Sequence, residues 1–258
     1  MGEQMRSKRA RTIRGLVMLT SVFVAAAGYC SERDDKPVQA DTDEAWGDLQ
    51  GRFVWNEVGR AAGDGDPTGI ADVFVFLDRR SNQPPPRIHL SYRQESRTPV
   101  VLAIRGGRWK PRAASIRTDQ ELLLINMDSV GYNPNLSTFR NPAQNLLLRP
   151  QARHSLFFSH TERLPIRVSG NIHSGLIGWL MIADHPYVAV TDEDGRFEIK
   201  YCPVGEWTFR LWNERAGYIR TAVVQGVSTE LDKGRMKVHV QPNANQLGEI
   251  RVSRKLFE

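Results

Sequence analysis

From Trp46 onward the sequence breaks into short apolar runs separated by Gly, Pro, Asn and Asp. GRFVW, ADVFVFL, PVVLAI, ASIRTDQELLLIN, HSLFF, PIRVSG, GWLMIADHPYVAVTD, RFEIK, EWTFRLW, TAVVQG, RMKVHV and GEIRVS are short runs, and most are rich in β-branched or aromatic residues. Several alternate apolar with polar, as in Phe197 and Ile199 and then Trp207, Phe209 and Leu211. That period of two puts one face of a strand in a core and the other in water. No window sustains a helical period beyond about two turns. A dozen strands at this spacing predict an all-β sandwich or barrel.

The turns between the runs carry their own chemistry. TDEDGRF (191–197) has Asp192 and Asp194 ahead of Gly195, which resembles part of a calcium loop. The first ligand position falls on Val190, and no Glu follows at the required distance, so a tight hairpin turn is the expected structure. PVGEW (203–207) is a second such turn, and SNQPPPR is a stiff connection. His154 and His160 fall in a loop leading into a strand and read as surface residues. The six Trp residues read as core and strand-edge packing rather than a carbohydrate platform.

The formal charge of +6 suggests an anionic partner until its location is considered. Arg6, Lys8, Arg9, Arg11 and Arg14 precede an uncharged run, and without residues 1–29 the chain holds 30 basic and 28 acidic residues, a net +2. Nucleic acid is therefore not an expected partner. Residues 1–29 have the basic start, short apolar stretch and small-residue end of an export signal. Two cleavage readings stay open: an A-x-A site at Ala25–Ala27, or a lipidated Cys30 that anchors the mature chain to the membrane. Residues 30–45 would be a polar linker. The protein is expected in the periplasm or at the cell surface. Cys202 is then left alone, which excludes a disulfide framework and suits a small buried apolar residue.

The stretch RWKPRAASIRTDQELLLINMDSVGYNPNL, the segment IHSGLIGWLMIADHPYVAVTDEDGRFEI and the later PVGEWTFRLWNERAGYI resemble the exported cupredoxin-like proteins of the methylamine-utilisation or plastocyanin-like type. Trp, Gly and Pro positions of the second half agree over some 40 residues without a gap. The resemblance implies a Greek-key β-sandwich over residues 46–182. HPYVAVTDEDGRFEIKYCPVGEWTFRLW also resembles a carboxypeptidase-regulatory β unit, which would make residues 183–258 a β extension, separate from the sandwich or integral to it. The resemblance also implies a mononuclear copper site, which takes two His nitrogens, a Cys thiolate and usually a weak axial Met.

The departures fall on those ligands. Tyr132 stands where the family has its first His, Gly170 where it has Cys and Leu176 where it has Met; only His173 is kept. Arg112 and Asn213 replace two further His residues of relatives. A site without its thiolate has lost the donor that defines blue copper, so no metal and no cofactor is expected. GxSxG, HExxH and GxGxxG are absent, and no carboxylate pair suits acid–base work, so no enzyme is expected. The long polar loop 126–145 should share one end of the sandwich with the 170–179 bend. Tyr132, Asn133, Asn135, Asn171, His173 and Trp179 would line a contact surface there for an envelope protein or surface component. A copper electron-transfer role through unrecognised ligands, or service as an accessory subunit of an envelope oxidoreductase, is the alternative.

Overall fold

Alternation along the chain becomes burial in space. In the strand Arg196–Pro203, Phe197, Ile199 and Cys202 are buried while Arg196, Glu198 and Lys200 face water. Arg235–Val240 repeats the pattern, with Met236, Val238 and Val240 inward. The computed structural model describes residues 45–56, 69–79 and 85–258. These are nearly all strand, in four sheets, with a single turn of α-helix at Ser91–Glu95. Residues 1–29, where an export signal is expected, and Cys30 lie outside the described residues, as does the expected linker save Ala45.

The sheets form two sandwiches, each around its own core. One sheet of the first runs Arg196–Pro203, Trp46–Trp55, Asn243–Val252, Thr221–Val224, Val227–Glu230. The other runs Val188–Val190, Phe74–Leu77, Gly205–Asn213, Gly217–Tyr218, with Arg235–Val240 also paired to Gly205–Asn213. Leu49, Phe53, Val75, Tyr187, Phe209, Leu211 and Ile250 fill the space between them. In the second sandwich one sheet runs Arg108–Lys110, Val100–Arg105, Leu122–Asn126, Arg153–Leu156. Its partner runs Ala113–Arg117, Ile177–Ala183, Ile166–Gly170, Pro134–Leu136, Gln144–Asn145. Leu102, Ile104, Trp109, Leu124, Val168 and Leu180 fill this core.

Strand pairing therefore differs from a division at residue 182/183. Trp46–Trp55 and Phe74–Leu77, expected within the 46–182 sandwich, sit in sheets completed by residues 188–252, and residues 100–183 form the other sandwich between them. The decisive contact is the parallel pairing of Trp46–Trp55 with Asn243–Val252. Alternation fixes which face of a strand is buried but not its partner, so a pairing of this sequence separation leaves no local trace. The turn at Asp192–Arg196 forms as expected. Asp192 Oδ1 accepts from the N–H groups of Asp194 (3.0 Å) and Arg196 (2.8 Å), so it serves the turn. Its two arms go to different sheets, however, so the turn crosses the first sandwich instead of closing a flat hairpin.

The two sandwiches meet back to back. All four residues of Phe74–Leu77 are buried: Val75 and Leu77 enter the first core, while Phe74 and Phe76 face outward onto Ala113 and Met181 of the second sandwich. Ile177–Ala183 answers in kind, with Leu180 and Ile182 inward and Trp179 and Met181 on the seam. Beside this apolar seam, Arg112 of the second sandwich pairs with Asp72 (2.9 Å) and with Glu214 of the first, and the Trp179 indole N–H donates to Glu214 at 2.5 Å. Glu214→Ala leaves the guanidinium and the indole each short of an acceptor. We expect a loss of about 1–3 kcal/mol, read as a lower denaturant midpoint; an unchanged midpoint would show that the ion pair does not hold the seam.

His185 follows the seam strand and is buried, and burial pushes its imidazole down to about 4, with Arg79 adding to the effect against Asp184. The unfolded chain then binds the proton that the folded chain refuses. The neutral ring's contribution is full above the ordinary His value of about 6.5 and drains away as pH falls towards 4, by about 3 kcal/mol. Thermal unfolding across that window should show stability falling with pH in the parent and a shallower fall in His185→Asn; equal slopes would contradict this.

Candidate functional site

The apex of the second sandwich is built by loops that the backbone and two side chains hold in place. Asn126 ends a strand fully buried, and its Nδ2 donates to the carbonyls of Val130 (2.7 Å), Leu148 (3.2 Å) and Arg149 (2.9 Å) while its Oδ1 accepts from Asp128 N–H (3.0 Å). That single amide ties the 126–132 loop to the 148–149 segment. Asp128 then accepts from the backbone N–H groups of Gly106 (2.8 Å) and Gly107 (2.9 Å) and from the Tyr132 hydroxyl (2.8 Å). Both glycines are left-handed (φ +60° and +70°), the conformation that turns two successive N–H groups toward one carboxylate. These donors, led by Gly107, hold the Asp128 carboxyl below its ordinary range. Burial first, and then the bond to Asp128, raise the Tyr132 phenol above its own.

The four positions that resemble copper ligands do converge. The Tyr132 and His173 rings lie 4.7 Å apart. Gly170 N–H donates to the Leu176 carbonyl (2.8 Å), and Leu176 N–H to the His173 carbonyl (3.0 Å). Pro134 pairs with Gly170 across the sheet, which brings the Tyr132 loop against the 170–176 bend. Their chemistry does not fit copper. Tyr132 is buried with its hydroxyl given to Asp128, Leu176 is fully buried and has no lone pair, and only His173 presents an exposed donor. A Cβ at Gly170 would stand 2.7 Å from the His173 carbonyl oxygen and 3.2 Å from Leu176 Cβ, so the space a cysteine would need is filled. Among the described residues no three His, Cys, Asp or Glu side chains lie close enough together to hold a metal ion.

The polar residues predicted for the tip form a small amide network. Asn133 Nδ2 donates to Asn145 Oδ1 (3.0 Å) and the Leu146 carbonyl (2.8 Å), Asn135 to Asn171 (3.2 Å), and Asn171 to Asn145 (3.3 Å). Around it stand Ile172 and Leu147, 74% and 71% exposed. Sequence reading missed this apolar pair, although each is a large aliphatic residue set in a polar or turn-rich stretch. Trp179 is the residue it misplaced. Two residues past the bend, its ring has left the tip and packs at 4.9 Å on Trp212 in the seam. Arg112 and Asn213 are there too, both on Asp72, with Asn213 Nδ2 donating to its carbonyl at 3.1 Å. Arg112 thus supplies an ion pair that joins the sandwiches, and Asn213 an amide that braces Asp72 within the first.

No protein-family model matches the sequence, and no curated protein sequence does. Solved structures similar to part of the chain include a reduced amicyanin mutant, 13% identical over 32% of this chain and 80% of amicyanin, with a TM-score of 0.29. An oxidized amicyanin mutant is 11% identical over 42% of this chain and 97% of its own, with a TM-score of 0.30. The copper-containing nitrite reductase of Thermus scotoductus SA-01 is 15% identical over 33% of this chain and 22% of its own, again at 0.30. Both proteins have the cupredoxin fold. The likeness is one of backbone course over a minority of this chain.

Gly170→Ala places a methyl group against backbone that cannot rotate away. We expect a loss of about 1–3 kcal/mol, together with amide chemical-shift changes in residues 171–176. A variant of parental stability would show that the bend has room for a side chain.

Proposed function

We propose that this chain is an exported, non-catalytic β-sandwich protein of the cell envelope that works by contact with a partner and carries no copper. One observation carries the reading: the four apex positions that resemble copper ligands come together, yet they offer one exposed imidazole, one phenol committed to Asp128, a glycine and a leucine. Thiolate and thioether are the soft donors that select copper for electron transfer, and Cys202, the one sulfhydryl among the described residues, is buried in the other sandwich. What the apex does present is a fixed amide network beside exposed Ile172 and Leu147 and the His173 ring. Apolar side chains on rigid, hydrogen-bonded loops suit recognition of another protein or surface component of the envelope. The export signal, and a lipid on Cys30 where that cysteine begins the mature chain, would keep the module at the membrane face.

Titration of the purified mature chain with copper tests this. We expect no intense visible band and no retained stoichiometric copper after gel filtration, in the parent and in His173→Ala alike. One tightly held copper per chain, lost on His173→Ala, would overturn the reading.

A further inference from the structure

A second feature lies away from the apex, where the two sandwiches part beside their seam. There they leave a cleft of about 880 Å³, a volume typical of small-ligand sites. Two of its lining side chains are buried polar groups with an unmet atom. Glu162 is 3% exposed, and its Oε2 has no hydrogen-bond partner. His185 is 4% exposed, and its Nδ1 has none. An unmet buried polar atom costs about 1–3 kcal/mol, and such atoms in a folded protein mark strain, bound water or a ligand.

Glu162 is placed with care. Its other oxygen, Oε1, accepts from the backbone N–H groups of Phe139 (3.2 Å), Arg140 (2.9 Å) and Asn141 (3.3 Å) and from Asn141 Nδ2 (3.0 Å). Four donors on one oxygen fix the carboxylate and leave the second oxygen as a held acceptor. The same contacts fold the loop that carries Arg140 to the cleft. Around these groups the lining holds six Lys and Arg residues against three Asp and Glu. Arg79 pairs with Asp184, and Asp78 takes both Arg210 (2.7 Å) and Arg235 (2.6 Å). Arg140, Arg163 and Lys233 have no carboxylate partner among the described residues, although Arg140 reaches the Thr161 hydroxyl at 3.3 Å.

We propose that this cleft binds a small hydroxylated carboxylate of the sugar-acid class, its carboxylate on Arg140 and Arg163 and its hydroxyls on Glu162 Oε2 and His185 Nδ1, both of which are closed to solvent in the free chain and are uncovered as the ligand enters. The unpaired cations call for an anion. A fully deprotonated anion such as sulfate does not fit, because it brings only acceptors to a carboxylate oxygen that needs a donor. Ammonium compounds satisfy Glu162 but leave the positive surplus unused. A polyhydroxy acid supplies both, and His185, kept neutral by its burial, has a ring nitrogen able to meet a hydroxyl in either sense. This site is independent of the copper-free apex, and neither reading needs the other.

Calorimetric titration of the mature chain with D-galacturonate and D-gluconate, beside D-galactose and acetate, tests it. We expect saturable binding of at least one acid, with galactose and acetate at least ~10-fold weaker. Arg163→Ala is a surface change that leaves folding alone, and it should weaken the acid ~10-fold or more. Glu162→Gln keeps the Oε1 contacts but replaces the free acceptor with a donor, and it should do the same, with its fold checked by thermal unfolding. Amide shifts on binding should cluster at 139–141, 159–164 and 184–185. Absence of saturable binding by both acids, equal binding of galactose, or affinity unmoved by Arg163→Ala would overturn the proposal.

Discussion

Everything else in this molecule is positioned by two strands that have no solvent face. Phe74–Leu77 and Ile177–Ala183 each belong to one sandwich by their inward residues and to the other by their outward ones. A strand at the surface of a two-sheet sandwich ordinarily presents polar residues to water. Here that face carries Phe74, Phe76, Trp179 and Met181, which have no place to go except against the neighbouring sandwich. Burying an aromatic side chain of this size is worth roughly 1.5–3 kcal/mol, and edge-to-face contacts such as Trp179 on Trp212 add about 0.5–1.5. The polar strap from Arg112 to Asp72 and Glu214 lies at the margin of this apolar contact and fixes its register. The cleft with Glu162 and His185 is what remains where the same two sheets diverge.

The apex shows how side chains alone can hold a set of loops together. Loops around a metal need fixing in two ways, by the ion and by the protein. Asn126 and Asp128 supply the second kind in full, through bonds to six backbone groups and one hydroxyl. With the loops held by these side chains and the core beneath closed by Leu176 and Trp109, the convergence of positions 132, 170, 173 and 176 needs no ion. Tyr132 spans the gap with its ring on His173 and its hydroxyl on Asp128.

Much of this was legible in the sequence, and the remainder was hidden for definite reasons. Period-two runs such as Arg196–Pro203 announce a half-buried strand, and the all-β sandwich follows from a dozen of them. The unbroken FVFL run was equally visible, but an apolar run does not say which second surface will cover it. Trp179 was placed at the tip because it follows a Gly-rich bend; counting residues to the strand's seam-facing positions would have sent it the other way. The partnership of Trp46–Trp55 with Asn243–Val252 spans nearly the whole described chain, and no local pattern encodes it. The cleft was invisible for the same reason, since one wall, with Glu162 and Arg140, comes from one sandwich and the other, with Asp78 and Arg210, from its neighbour.

The claim that the doubly buried strands join the sandwiches into one cooperative unit is tested most directly by native-state hydrogen exchange under rising denaturant. The amides of Leu102 and Ile104 in one core and of Leu49 and Phe53 in the other should converge on a single opening free energy, shared by Phe74–Leu77 and Ile177–Ala183. Two separate sets, with one sandwich opening while the other stays protected, would contradict the account.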